Sequence, residues 1–118
     1  MAASVRALCL LLSAASLACT GLSDDLRRAE TAFSQARYED VEVWLDALAG
    51  DVARMQPAQR TLYYYLAGMS AYRIGARERA RHALALCREE LALAGTELPA
   101  TYVRNMHAAL DELARARR

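Results

Sequence analysis

Tyr64-Tyr65-Leu66-Ala67-Gly68-Met69-Ser70-Ala71-Tyr72-Arg73-Ile74-Gly75 is the stretch whose reading decides the fold. It holds one glycine, Gly68, before Gly75, which suits the left-handed position that closes a helix. Upstream, Pro57 fits a first helical turn, so a helix is predicted from Pro57 to Ile74. Downstream, the apolar spacing predicts a second helix over about Ala76 to Ala94, ended by Gly95. Gly68 and Ala80 lack bulk, so two antiparallel helices can approach closely there, while Tyr72 and Leu84 fill the space beside that contact.

The same order of small, aromatic and aliphatic residues occurs earlier. Shifted by 39 residues, Ala29, Ala32, Phe33, Ala36, Val41, Leu45 and Leu48 fall onto Gly68, Ala71, Tyr72, Gly75, Ala80, Leu84 and Cys87. An internal repeat of this kind predicts a first helical hairpin. Ser23 is its expected N-cap, with Asp24 and Asp25 in the first turn of a helix reaching about Ala36. A second helix is expected from about Tyr38 to Ala49, stopped by Gly50, with a loop over Asp51 to Gln56. Pro99 opens a last helix, in which Tyr102, Met106, Ala109, Leu110 and Leu113 share one stripe.

The second hairpin resembles the tetratricopeptide repeat. Tyr64 stands at that family's aromatic position, Ala67 at its usual leucine, Gly68 at its small residue and Gly75 at its turn. Tyr72 lies one place beyond the preferred tyrosine, whose own position holds Ala71. In the second helix Ala80 holds the small position, Leu84 the large one, and Cys87 a site that is normally alanine. The first hairpin matches less well, because Asp25, Arg28 and Val41 replace the aromatic, the leucine and the small residue. The resemblance implies an all-α fold: a short right-handed array of two hairpins, at about 22–60 and 61–95, with a capping helix over about 99–117. The packing residues it implies are Ala29, Phe33, Leu45, Gly68, Gly75, Ala80 and Leu84.

Outside the hairpins, composition bounds the chain's class. The 118 residues allow one modest domain, and 15 basic residues against 14 acidic ones leave overall charge naming no partner. Every basic residue is arginine and alanine is abundant, a bias we read as a GC-rich bacterial genome. Acidic residues are interspersed with the arginines, which argues against a nucleic-acid face. Arg77, Arg79, Arg81 and Arg88 are expected to form a solvated face relieved by Glu78, Glu89 and Glu90.

Residues 1–18 differ in kind from the rest. Arg6 precedes an uncharged run from Ala7 to Ala18, in the order charge, apolar core and small-residue exit that marks a secretory signal peptide. That run is too short to span a bilayer of roughly 30 Å as a helix. Ala15-Ser16-Leu17-Ala18-Cys19 resembles the lipobox of bacterial lipoproteins, although Ser16 stands where leucine is usual. The resemblance implies lipid on Cys19 as the first mature residue, and Thr20 after it implies the outer membrane, facing the periplasm. The alternative is cleavage without lipidation, which leaves a soluble periplasmic or secreted domain over 19–118. Cys87 is then the one cysteine in the folded part, expected as a small buried hydrophobe.

No catalytic constellation is legible: no glycine-rich phosphate loop, no Cys-x-x-Cys-His and no His-Glu-x-x-His occurs, and no cofactor is implied. His82 follows Glu78 by four residues and Asp111 follows His107 by four, a spacing common on solvated helices. Leu62, Tyr65, Met69 and Tyr72 share a helical face with Arg73 beside it. By the tetratricopeptide resemblance, Tyr65, Met69, Tyr72 and Arg73 would line a groove for a peptide segment. The same helix is apolar nearly all round, which instead fits the buried centre of a small bundle. The expected function is therefore non-catalytic protein binding, scaffolding or assisting assembly of envelope components. A two-repeat array buries little surface, so a partner or a second copy could complete its core. Two other readings remain open: a structural lipoprotein without a groove, and a periplasmic protein that binds a ligand or metal through His82 or His107.

Overall fold

Apolar periodicity and two Schellman-type stops produce an all-α fold in residues 21–117, the part of the chain that the computed structural model describes. The expected leader and Cys19 lie outside the described residues. The helices are α1 (21–34), α2 (Tyr38–Leu48), α3 (Pro57–Arg73), α4 (Arg77–Ala94) and α5 (Ala100–Arg115). A 3-10 helix, Ala49–Arg54, joins α2 to α3.

Each start and stop has a local cause. Pro57 occupies the first turn of α3, and Gln56 and Gln59 satisfy each other's backbone amides as a capping box. α4 ends on Gly95, at φ 61°, and Pro99 precedes α5. Three boundaries differ from the sequence reading. Ser23 lies inside α1 rather than capping it. Ala36 lies outside α1, in a left-handed conformation. The expected loop over Asp51 to Gln56 is mostly helical: the chain runs from Leu48 straight into the 3-10 turn, without stopping at Gly50. Burial explains the last difference, because Met55 is buried and Val52 packs on the core, which holds this segment against the body.

α3 is the central helix, packed against α2, α4 and α5. Its closest approach is to α4 at Gly68. A β-carbon there would stand 2.6 Å from Leu84 Cγ and 3.0 Å from the Leu84 backbone nitrogen. The small residue therefore sets the spacing of the second hairpin, as its sequence suggested. The half-buried Arg60 donates to Glu90 at 2.7 Å and ties the start of α3 to the end of α4. Cys87 is buried on α4, with its thiol directed at the Thr61 carbonyl oxygen at 3.6 Å.

The repeat has a geometric counterpart. Val41, Leu45 and Leu48 of α2 are buried, and so are Ala80, Leu84 and Cys87, each 39 places later. Ala29 and Ala32 are buried, as are Gly68 and Ala71. Phe33 and Tyr72 are both half-buried beside these positions. On α5, Met106, Ala109 and Leu113 are buried, with Tyr102 and Leu110 partly so, which reproduces the expected stripe.

Candidate binding surface

Tyr65, Met69 and Tyr72 follow one another on α3 in steps that put them on one face, and α5 lies along it. Tyr65 is 0% exposed and Met69 is 2% exposed. Tyr102 of α5 stacks on Tyr65 with ring centroids 4.3 Å apart and planes 7° from parallel. Phe33 of α1 meets the Tyr65 ring edge-on at 5.9 Å, and Tyr38 meets Phe33 at 5.6 Å. Four rings thus form a row from the first hairpin to α5. The expected open groove of Tyr65, Met69, Tyr72 and Arg73 is corrected accordingly. Tyr65 and Met69 are core, Tyr72 is half-buried and Arg73 is exposed beside the Tyr72 ring. An amphipathic α5 buries more apolar surface by covering that face than by leaving it wet.

Polar groups fix the seat of α5. The Tyr102 hydroxyl donates to Glu30 Oε1 of α1 at 2.8 Å, so α5 is bound to both the first and the second hairpin. Asn105 donates to the Tyr65 hydroxyl at 3.5 Å, and the Tyr72 hydroxyl donates to Glu112. Burial, and then the Glu30 carboxylate, push the Tyr102 phenol up to about 12. Burial raises Tyr65 as well, opposed by the Asn105 hydrogen bond. Hydrogen bonding to Glu112 raises Tyr72.

Of the arginines expected as a solvated face, Arg77, Arg79 and Arg88 are exposed and Arg81 is half-buried. Arg79 pairs with Glu42 of α2 at 3.0 Å. Arg81 pairs with Glu78 and also donates to the Leu113 carbonyl oxygen at 3.1 Å, joining α4 to α5. Glu78 thus turns to Arg81 rather than to His82, and Arg81 holds its carboxyl below the usual range.

Among the described residues, two open clefts lie away from the contact of α3 with α5. One, of about 310 Å³, lies between α1 and α3, with Leu26, Ala58 and Leu62 as its apolar part and Ser23, Arg27, Glu30 and Gln59 around it. The other, of about 240 Å³, lies between α2 and α4 over Ala67 and Ala71 of α3, with Glu42, Asp46, Tyr63, Arg79 and His82 at its edges. Among the described residues no three His, Cys, Asp or Glu side chains converge as a metal site would require. Burial pushes the Cys87 thiol up to about 12, so it is not a thiolate at neutral pH. Tyr102 and Glu30 were missed as partners in the sequence, since a contact between the first and last helices leaves no local spacing signal. Among the described residues no helix is long and apolar enough to cross a membrane. No family model, no curated protein and no solved structure matches this chain.

Proposed function

We propose that this chain is a non-catalytic, tetratricopeptide-like protein of the bacterial envelope, anchored through lipid on Cys19, that holds a segment of another envelope protein. The supporting observation is the repetition of one hairpin geometry at a 39-residue interval, closed by the same left-handed turn at Ala36 and Gly75. Repeated hairpins place their first helices side by side, and the α1–α3 cleft lies between those two helices. Leu26, Ala58 and Leu62 offer an apolar floor, while Arg27, Glu30 and Gln59 supply charge and hydrogen bonds at its edge. An extended segment with one apolar anchor between polar residues fits that chemistry. The burial of Tyr65 and Met69 under α5 favours a second reading, a structural lipoprotein whose bundle is closed.

One experiment separates the two and tests the anchor. A photoreactive residue replaces Leu62 in the full chain, expressed in a Gram-negative host, and the membrane fraction is analysed by mass. The expected result is a chain starting at Cys19 with diacylglyceryl and acyl groups, crosslinked to one discrete envelope protein. A lipidated chain without a crosslinked product supports the closed bundle instead. An unmodified chain still carrying Met1 overturns the envelope assignment itself.

A further inference from the structure

We propose that the end of the body where α1 begins rests on a zwitterionic phospholipid surface, with the Leu93 side chain sunk at headgroup level. This deepens the envelope function and rests on its lipid anchor at Cys19. The tether decides which end can meet lipid. Cys19 lies two residues before Gly21, where the described α1 begins, a reach of at most ~7 Å. Acyl chains on Cys19 lie in the bilayer, so that reach holds the start of α1 near the headgroups and is too short to lift the body clear.

Other helix ends gather at the same level. Gln59, in the first turn of α3, donates to Ser23 near the start of α1 at 3.0 Å, so these two helices begin side by side. α4 returns along α3: Arg60 donates to Glu90 at 2.7 Å, and the hydroxyls of Thr61 and Thr96 are 2.9 Å apart. Ala92, Leu93, Ala94 and Gly95 therefore form the tip of α4 before the chain turns back. All four are exposed, and no residue from Leu91 to Thr96 is charged. Pro57 and Ala58, where α3 starts, are exposed and uncharged too. The charges nearest this end are the pairs Asp24–Arg27, Asp25–Arg28 and Asp51–Arg54, together with Glu97. They offer no excess of cations, which favours a zwitterionic surface over an anionic one. The opposite end, around the turns at Ala36 and Gly75, exposes Arg37, Glu39, Asp40, Arg77, Glu78 and Arg79. The tethered end is thus the apolar one. Its Leu93 is 80% exposed, and a seat among the headgroups removes that apolar surface from water.

The test uses the full chain, expressed and processed in a Gram-negative host and reconstituted into phosphatidylethanolamine–phosphatidylcholine vesicles. Three variants, Leu93→Cys, Val43→Cys and Arg77→Cys, each carry one environment-sensitive dye on the new thiol. Val43 is 70% exposed on α2 and Arg77 is exposed at the far end, so both control for a dye that enters lipid by itself. Cys9 is absent from a chain that starts at Cys19, the Cys19 sulfur carries lipid, and Cys87 is buried, which leaves the new thiol to react. Lipids with a nitroxide at the headgroup are expected to quench the dye at position 93 several-fold more than at 43 or 77. Equal quenching at the three positions, or the strongest at 77, overturns the proposal. In either case a chain whose mass shows diacylglyceryl and acyl groups on Cys19 leaves the anchor standing. An unlipidated chain in the soluble fraction overturns the anchor and this seat together.

Discussion

Ala36 and Gly75, 39 positions apart, hold the same left-handed backbone, at φ 57° and 83°, and close equivalent helices. The amide after each donates five residues back, Arg37 to the Ala32 carbonyl at 2.9 Å and Ala76 to the Ala71 carbonyl at 2.8 Å. Their own amides donate to Phe33 and Tyr72 at 3.0 and 3.2 Å. These are the paired bonds of a Schellman turn, and in both hairpins they fix the angle at which the second helix departs.

Alanine pays for this conformation where glycine does not. Left-handed backbone costs an L-residue about 1–2 kcal/mol, offset in part by the greater unfolded-state freedom of glycine. Ala36→Gly is therefore expected to stabilise the fold by about 0.5–1 kcal/mol in urea unfolding. Gly75→Ala is expected to destabilise it by about 1 kcal/mol, and from backbone conformation alone, since no atom lies within 4 Å of an added β-carbon. Equal effects of one sign from both changes would show that the two turns are not equivalent.

Gly68 differs from Gly75 because its constraint is space. A β-carbon would press on Leu84 Cγ and on the Leu84 backbone nitrogen, and the backbone cannot swing aside as a side-chain tip does. Gly68→Ala is expected to cost about 2–3 kcal/mol by forcing α3 and α4 apart. Gly50→Ala, with nothing within 4 Å, serves as the control and is expected to change the urea midpoint little. A Gly68→Ala variant as stable as the parent would mean that Leu84 repacks freely.

These two glycines also show what was legible in the sequence. Gly68, Ala80 and Leu84 announced the close hairpin because small and large residues recur at helical spacing, and Gly75 announced its turn through its backbone freedom. Ala36 gave a signal only through its alignment with Gly75 at the 39-residue shift, because alanine by itself favours helix. The face of α3 was legible, but its covering was not. Tyr65 and Met69 form one stripe whether a peptide or α5 lies on it, and no local pattern says which. The contact of Tyr102 with Glu30, 72 residues apart, is set by the stacking of three helices, which spacing rules within one helix do not reach.

Cys87 is expected to be silent to reagents. Burial holds its thiol near 12, so at mildly alkaline pH the folded chain presents almost no thiolate there. Iodoacetamide followed by peptide mapping is expected to leave Cys87 unmodified in buffer and to alkylate it fully in urea. Modification in buffer at the rate of an exposed thiol would require α4 to open from Thr61 on the same timescale.

Tyr102 of α5 reaches both α1 and α3, and its two contacts can be separated. Tyr102→Phe keeps the ring on Tyr65 and removes the donor to Glu30, an expected loss of about 1 kcal/mol. Tyr102→Ala removes the stacked ring as well and is expected to cost about 3 kcal/mol. The same residue makes stability depend on alkali. Its folded phenol titrates near 12 against an ordinary value of 10.0, so the folded chain keeps the proton longer than the unfolded one. Its contribution is complete below about pH 10 and is lost as pH rises toward 12. Urea midpoints measured from about pH 9 upward are expected to fall for the parent. Tyr102→Phe is expected to show a shallower fall rather than none, because Tyr63 and Tyr65 are also raised by burial. An identical fall in the two proteins would remove Tyr102 from the list of groups that titrate against the fold.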